Sequence, residues 1–137
     1  MNILISAVLI LNMWSQPVTI KEPVGTYTIS AYSYSEGYGE NYKTAGGYTP
    51  EPYYTIATTE DYRIGEKLYI NGVGEVQVQD RGNFPTNRID LHIGRDNPEN
   101  FGLQNRRVYR YKKKSLSMTE RLKGWLYEAN ADRKSVV

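Results

Sequence analysis

Short stretches in which polar and apolar side chains alternate dominate the chain from residue 25 to residue 111. Each stretch is rich in β-branched and aromatic residues and is bounded by Gly, Pro, Asn or Asp, a pattern typical of short strands joined by turns. The predicted strands cover residues 26–34, 54–58, 67–70, 74–79, 88–93 and 106–111. This series of strands, with hardly any helical periodicity, predicts a mainly β protein, either a small barrel or a sandwich.

A helical pattern appears only near the C-terminus. Ser117 and Glu120 have the spacing of a capping box, in which each side chain bonds the backbone N–H of the other residue. Apolar residues then recur on one helical face, at Leu122, Trp125, Leu126 and Ala129. We therefore predict that residues 112–137 form a basic linker followed by a C-terminal amphipathic helix, which covers about residues 118–131.

The N-terminal segment, residues 1–20, carries no charged side chain, and residues 3–13 are almost wholly apolar. This run is shorter than the roughly 20 residues that span a bilayer, so we predict no integral membrane span. It is similar to the hydrophobic core of a secretory signal, although no Lys or Arg precedes it and no A-x-A cleavage site follows. Two interpretations stay open: an export or anchoring signal, and a buried first strand or helix.

Composition fits one small domain of 137 residues, with 39% hydrophobic and 23% charged side chains. The net charge is only +2, but it is unevenly distributed, because residues 1–105 sum to −5 and residues 106–137 to +7. The basic run of residues 106–114 contains aromatic side chains, as nucleic-acid-binding patches do. No known nucleic-acid motif accompanies it, so we expect no nucleic-acid partner and keep open a protein partner for the basic C-terminal helix.

Residue types limit the chemistry that the chain can perform. The sequence has no Cys and one His, which excludes disulfides, thiol catalysis and Cys-ligated metals and makes a His-rich metal site improbable. Carboxylates and the 13 tyrosines remain as candidate functional groups.

The densest polar cluster lies in residues 80–92. If residues 88–93 form a strand, alternation places Arg88, Asp90 and His92 together on the face opposite the core. Asp80 follows the alternating Val76 and Val78, so we expect it at the rim of the core. Two carboxyl groups facing one cleft suit glycosidic bond cleavage, in which one protonated carboxyl donates to the leaving oxygen. The alternative is an ordinary Asp-Arg-Gly turn with a surface ion pair.

An ordered set of segments covers about two-thirds of the chain: YTISAYSY (27–34), TAGG (44–47), TIA (55–57), IGEKLYI (64–70), GVG (72–74), DRG (80–82), NRIDL (87–91), FG (101–102) and VY (108–109). In order and spacing, this set resembles the 3D domain, a family named for three aspartates. That family is related to lytic transglycosylase A and to rare lipoprotein A type proteins. The resemblance implies a small six-stranded double-psi β-barrel over residues 25–111, followed by the short C-terminal α-helix.

The resemblance also implies an activity. Asp90 matches the acid/base aspartate of the lytic transglycosylases and Asp80 its partner, which implies cleavage of the MurNAc–GlcNAc β-1,4 bond of peptidoglycan with a 1,6-anhydro product. The reaction needs no metal and no cofactor. The partner would be peptidoglycan glycan strands, and the protein would be secreted, cell-wall-associated, or virion-associated if a phage encodes it.

Other residues are candidates for binding the glycan. Residues 36–52, rich in Gly, Pro, Asn and Tyr, predict a long surface loop, and tyrosines near it can stack on sugar faces. Arg81 and Arg88 can bind carboxylates of peptidoglycan, and His92 lies next to Asp90 in the strand pattern. The candidate substrate-binding residues are Tyr32, Tyr34, Lys43, Thr44, Gly46, Arg81, Arg88 and His92.

The sequence departs from the family at the third aspartate. The family has an Ala-x-Asp-Pro context there, whereas this chain aligns Thr58 or Thr59 with the aspartate, and Asp61 lies two or three residues further on. The family's Gly-Gly-x-Ile-Lys-Gly loop is replaced by residues 82–87. The alternative function is therefore a non-catalytic glycan-binding barrel, such as a structural component of a phage tail or another wall-penetrating assembly.

Overall fold

The computed structural model describes residues 15–36, 39 and 41–134. It contains a closed six-stranded barrel and a C-terminal helix, so the predicted fold class is confirmed. The strands are β1 (Val18–Tyr32), β2 (Thr55–Thr58), β3 (Lys67–Ile70), β4 (Gly74–Arg81), β5 (Arg88–His92) and β6 (Gln104–Lys114). Helix α1 (Pro98–Phe101) lies between β5 and β6, and helix α2 (Met118–Lys134) follows β6. The apolar run of residues 3–13 lies outside the described residues.

The order of strands around the barrel is β1, β5, β2, β4, β3 and β6, with β6 closing on β1. β1 pairs in parallel with β5, and β2 pairs in parallel with β4. β2 also pairs antiparallel with β5, and β3 pairs antiparallel with β4 and β6. Strands that are distant in sequence are therefore neighbours, which brings residues near 30, 57, 80 and 90 to one part of the surface.

The barrel interior is filled by aliphatic side chains that alternate with outward-facing residues along each strand. On β5, Ile89 and Leu91 are completely buried, as the alternation predicts, and Asp90 lies between them on the outer face. The main members of the core are Ile29, Ile56, Tyr62, Leu68, Ile70, Val76, Val78, Ile89, Leu91, Ile93 and Val108. The outer face of β5 and its neighbours is consequently free to carry polar groups.

Two strands are longer than the sequence pattern predicts. β1 begins at Val18 rather than at residue 26, and β6 continues to Lys114. Lys112 to Lys114, predicted as linker, are therefore strand residues, and the Lys113 ammonium donates to the Thr19 hydroxyl at 2.8 Å. The sequence pattern does not predict this part of the strand, because its lysines do not alternate with apolar residues. These residues belong to β6 through backbone pairing and not through burial of side chains.

The described residues form two compact units, Lys21–Tyr111 and a second unit from the residues that flank it. In the second unit, Ser117 Oγ accepts from the Glu120 N–H at 3.2 Å and Glu120 accepts from the Ser117 N–H at 2.9 Å, which is the predicted capping box. The helix ends three residues later than predicted, at Lys134 rather than Ala131.

Helix α2 exposes its apolar side chains. Leu122, Trp125 and Leu126 are 44%, 61% and 53% exposed, and none of the residues of α2 is buried. A protein partner for this basic helix stays a prediction. No helix among the described residues is long and apolar enough to cross a membrane.

Candidate active site

Asp80 and Asp90 lie on the two strands that flank β2, and each is directly opposite Ala57. The preceding residue, Ile56, is completely buried in the core. Because side chains alternate along a strand, Ala57 and the two aspartates lie on the outer face. Neighbouring strands are about 4.8 Å apart, which separates the two aspartate backbones by on the order of 10 Å with the small Ala57 side chain between them.

A register shift in the pairing of β2 with β4 is responsible for the position of Asp80. The pairing of β2 with β4 shifts between Ile56 and Ala57, so that Val78 is opposite Ile56 and Asp80 is opposite Ala57, with Gln79 passed over. Without this shift, Asp80 would keep the phase of Val78 and face the core. Asp80 therefore lies at the rim of the core, as the sequence predicts, but out of register with Val76 and Val78, because the extra residue in β4 turns its carboxylate to the outer face.

The carboxylate of Asp80 anchors the long loop over the barrel. Its Oδ1 accepts the backbone N–H groups of Ala45 and Arg81, each at 2.9 Å, and its Oδ2 accepts the hydroxyls of Tyr42 at 2.8 Å and Tyr32 at 3.4 Å. All four groups donate, and Asp80 is only 5% exposed. Asp80 thus acts as an acceptor of hydrogen bonds, and both of its carboxyl oxygens are occupied by the protein itself.

Asp90 is half-buried and is bonded differently. Its Oδ1 accepts the Ser30 hydroxyl at 2.8 Å, and Arg88 Nε donates to the same hydroxyl oxygen at 2.9 Å. Among the residues that the structure describes, none bonds to Oδ2. Burial raises the pKa of Asp90 above its ordinary value, although the Ser30 hydrogen bond and the Arg88 charge oppose the rise. This carboxyl is therefore the one best suited to carry and donate a proton.

The two aspartates open onto a common cavity of about 230 Å³. It is lined by Tyr32, Glu36, Tyr42, Ala57, Asp80, Arg81, Gly82, Phe84 and Asp90. A second cavity, of about 480 Å³, adjoins it through Arg81 and Gly82, which line both. The two cavities together could hold more than one unit of an extended polymer.

Glu36 is a cavity residue that the sequence patterns do not indicate. It lies at the start of the long loop, where its carboxylate accepts the Ser33 N–H at 3.1 Å. Its negative charge contributes to the raised pKa of Asp90. Glu36 thus supplies a third carboxyl group at the cavity.

The residues at the position of the family's third aspartate have other roles. Thr58 is buried, and its hydroxyl accepts from Arg81 Nη1 at 3.1 Å. Asp61 is exposed and accepts the Thr59 hydroxyl at 3.1 Å. Neither residue lines the cavity of Asp80 and Asp90.

Three of the predicted substrate-binding residues, Lys43, Thr44 and Gly46, instead hold the long loop in place. Thr44 is buried and bonds the Tyr48 backbone, and Lys43 is exposed and bonds the Thr49 hydroxyl. The Gly46 N–H donates to the Gln79 carbonyl at 3.0 Å, and a Cβ at Gly46 would lie 2.7 Å from that oxygen. Glycine is required for this close approach. None of these three residues lines the cavity, so the structure does not bring them to the site.

His92 and Tyr34 are next to the site without lining it. His92 is 1% exposed, and the rings of Tyr32 and Tyr34 meet it edge-on at centroid distances of 5.0 and 4.6 Å. Burial lowers the pKa of His92, against a hydrogen bond with the Glu51 backbone. Among the described residues no group bonds its Nδ1 atom. His92 is therefore a buried, neutral residue that packs against the Tyr32 ring, and its burial keeps it from contacting a glycan.

The lowered pKa of His92 predicts a pH-dependent loss of stability. Above about pH 6.5 the imidazole is neutral in the folded and in the unfolded chain. As the pH falls below this value, the unfolded chain binds the proton at a higher pH than the folded chain does. We expect the free energy of unfolding, measured in urea from pH 7.5 to pH 5, to fall more in the wild type than in His92→Gln. Because His92 is the only histidine, the variant isolates its effect. A difference between the two proteins that stays constant over this range would contradict the prediction.

The arrangement combines a protonatable carboxyl, two further carboxylates and tyrosine rings at one cavity, which suits acid catalysis on a polar substrate. No group of three acidic or histidine side chains in the described part of the chain is arranged to hold a metal ion. Comparison of the chain with protein-family models and with curated proteins finds no match.

Proposed function

We propose that this protein is a peptidoglycan lytic transglycosylase that cleaves the MurNAc–GlcNAc β-1,4 bond. The observation that carries the proposal is Asp90, a half-buried carboxyl that has a raised pKa, accepts the Ser30 hydroxyl through Oδ1 and lines a cavity. The resemblance to the 3D domain and its lytic transglycosylase relatives supports the choice of substrate. This function would place the protein at the cell wall, as a secreted, wall-associated or virion-associated protein.

In the proposed reaction, Asp90 acts first as acid and then as base. Its proton passes to O4 of the departing GlcNAc as the bond between that oxygen and C1 of MurNAc breaks. The C6 hydroxyl of the same MurNAc attacks C1, and its proton returns to the Asp90 carboxylate. The product is a 1,6-anhydro end, and Asp90 regains its starting state. The carboxylates of Asp80 and Glu36 would stabilise the positive charge that develops near C1.

Arg81 is the residue best placed to bind an acidic part of the substrate. It lines both adjoining cavities, and its Nη1 is bonded to neutral acceptors, the Thr58 hydroxyl and the Thr59 carbonyl. Because these acceptors carry no charge, they do not neutralise the guanidinium, which can still form an ion pair with a carboxylate of the substrate. MurNAc carries such a carboxyl group on its lactyl arm or on the attached peptide.

The test is incubation of the folded protein with purified sacculi, followed by mass analysis of the soluble products. We expect muropeptides with 1,6-anhydro ends, which a hydrolase would not produce. Heat-denatured protein serves as the control. Folded protein that releases no anhydro product at high concentration would contradict the proposal.

A second candidate function, a non-catalytic glycan-binding barrel, is favoured by two observations. The cavity of about 230 Å³ is smaller than the roughly 300–1,000 Å³ typical of ligand clefts, and Asp80 is fully occupied by the protein's own donors. Such a barrel would suit a structural component of a phage tail. Co-sedimentation with sacculi that is equal for the wild type and Asp90→Asn, without any cleavage, would favour this candidate.

A further inference from the structure

We propose that Ser30 and Arg88 are positioning residues for Asp90: Arg88 fixes the direction of the Ser30 hydroxyl, and that hydroxyl reserves Oδ2 of Asp90 for the transferred proton. The inference rests on the proposed function. It assigns to Arg88 a role within the protein rather than in binding the glycan.

The direction of both hydrogen bonds follows from the chemistry of the donors. Arg88 Nε can only donate, so the Ser30 oxygen is the acceptor at 2.9 Å. The single hydroxyl proton of Ser30 is then directed to Oδ1 of Asp90, at 2.8 Å. Because Oδ1 accepts this proton, the proton that Asp90 itself carries is on Oδ2.

The strands hold the three residues in this arrangement. Ser30 is directly opposite Asp90 in the parallel pairing of β1 with β5, and Arg88 is opposite Thr28. Arg88 precedes Asp90 by two residues and so shares its outer face. Ser30 is only 4% exposed, which prevents the hydroxyl from serving the substrate directly.

The Arg88 guanidinium is also restrained from a second side. It lies over the ring of Phe84, with 5.8 Å between the guanidinium carbon and the ring centroid. Phe84 lines the same cavity as Asp90. The guanidinium is therefore held between the Phe84 ring and the Ser30 hydroxyl. A group that orients another side chain must itself be fixed in this way.

Removal of the Ser30 hydroxyl has two expected effects. Asp90 loses the hydrogen bond that opposes its raised pKa, so the carboxyl titrates at higher pH. The proton of Asp90 can then reside on either carboxyl oxygen, so it is on the oxygen that faces the leaving group in a smaller fraction of the enzyme–substrate complexes. For Ser30→Ala we expect kcat to fall about 10-fold or more with little change in KM, since hydrogen bonds to charged groups contribute at this level. The upper limb of the pH profile should move to higher pH.

The experiment compares Ser30→Ala, Ser30→Thr and Arg88→Gln with the wild type. Ser30→Thr keeps the hydroxyl and should restore most of the activity, whereas Arg88→Gln should shift the pH profile in the same direction as Ser30→Ala. Ser33→Ala is the matched control, because Ser33 is also buried but bonds Ser35 instead of an aspartate. Unchanged far-ultraviolet circular dichroism verifies the fold of each variant.

A second readout does not depend on activity. The Asp90 carboxyl carbon is titrated by NMR in ¹³C-labelled protein and assigned with Asp90→Asn. A titration midpoint at higher pH in Ser30→Ala, but not in Ser33→Ala, supports the inference. An unchanged midpoint in folded Ser30→Ala overturns it. If the midpoint moves but the wild type releases no anhydro product, the proposed function fails while the action of Ser30 on Asp90 is supported.

Discussion

Replacement of Asp90 by Asn is expected to lower the release of anhydro-muropeptides by at least about 100-fold, because general acid catalysis contributes about 10²–10⁴-fold to such reactions. Asn keeps the shape of the side chain and an oxygen that can accept the Ser30 hydroxyl, but its amide has no acidic proton to transfer to O4. The measurement is the initial rate of product release from sacculi. Asp61→Asn is the matched control, since Asp61 is exposed and lies away from the cavity, and it should retain wild-type rates.

The variant Asp90→Asn is also expected to be at least as stable as the wild type at neutral pH. The pKa of Asp90 is raised in the folded state, so the folded chain binds this proton more tightly than the unfolded chain does. Stability contributed by the protonated group is therefore lost as pH rises from the ordinary aspartate range through the raised pKa. Asn has no such dependence. Thermal unfolding should give a Tm difference in favour of Asp90→Asn that increases with pH, and a large loss of stability would show that Asp90 is structural.

Replacement of Asp80 by Ala has the opposite expected result, a large loss of stability. Four donors lose their acceptor, and two of them are the backbone N–H groups of Ala45 and Arg81. An unsatisfied donor costs about 1–3 kcal/mol when it is buried, and these four are part-buried, so we expect the free energy of unfolding to fall by about 3 kcal/mol or more in total. Urea denaturation measures this change.

Asp96→Ala is the comparison for Asp80→Ala. Asp96 is an exposed aspartate that accepts the Tyr53 hydroxyl, so its removal should have a small effect. Proteolysis should also cut the long loop faster in Asp80→Ala, because Asp80 bonds Tyr42 and Ala45 within it. If both variants lose equally little stability, Asp80 does not anchor the loop.

Alternation and turn residues were sufficient to predict the short strands. The predicted bounds of β3 agree with the structure, and the alternation around Asp90 places that residue correctly because β5 is regular. The capping box predicts the start of α2 for the same reason, since the signal lies within four neighbouring residues. These features depend on local spacing, which a single sequence contains.

Features that depend on a partner strand could not be predicted in this way. The register shift at Gln79 is defined only by the pairing of β4 with β2, so alternation along β4 alone assigns Asp80 to the wrong face. Glu36 and Ser30 join the site through loop folding and through the pairing of β1 with β5. His92, whose pattern also fits an exposed strand end, is buried because Tyr32 and Tyr34 cover it.

The parallel pairing of β1 with β5 has a consequence for how the barrel forms. Ser30 and Asp90 are 60 residues apart in the chain, and contacts of such long range make folding slow because a large loop must close first. During synthesis β1 leaves the ribosome before either of its neighbours, β5 and β6, exists. Its edges stay open to other chains in that interval, as unpaired strand edges do. The Ser30 hydroxyl therefore reaches Asp90 only when the barrel closes, so an incompletely folded chain would lack the arrangement on which the proposed cleavage depends.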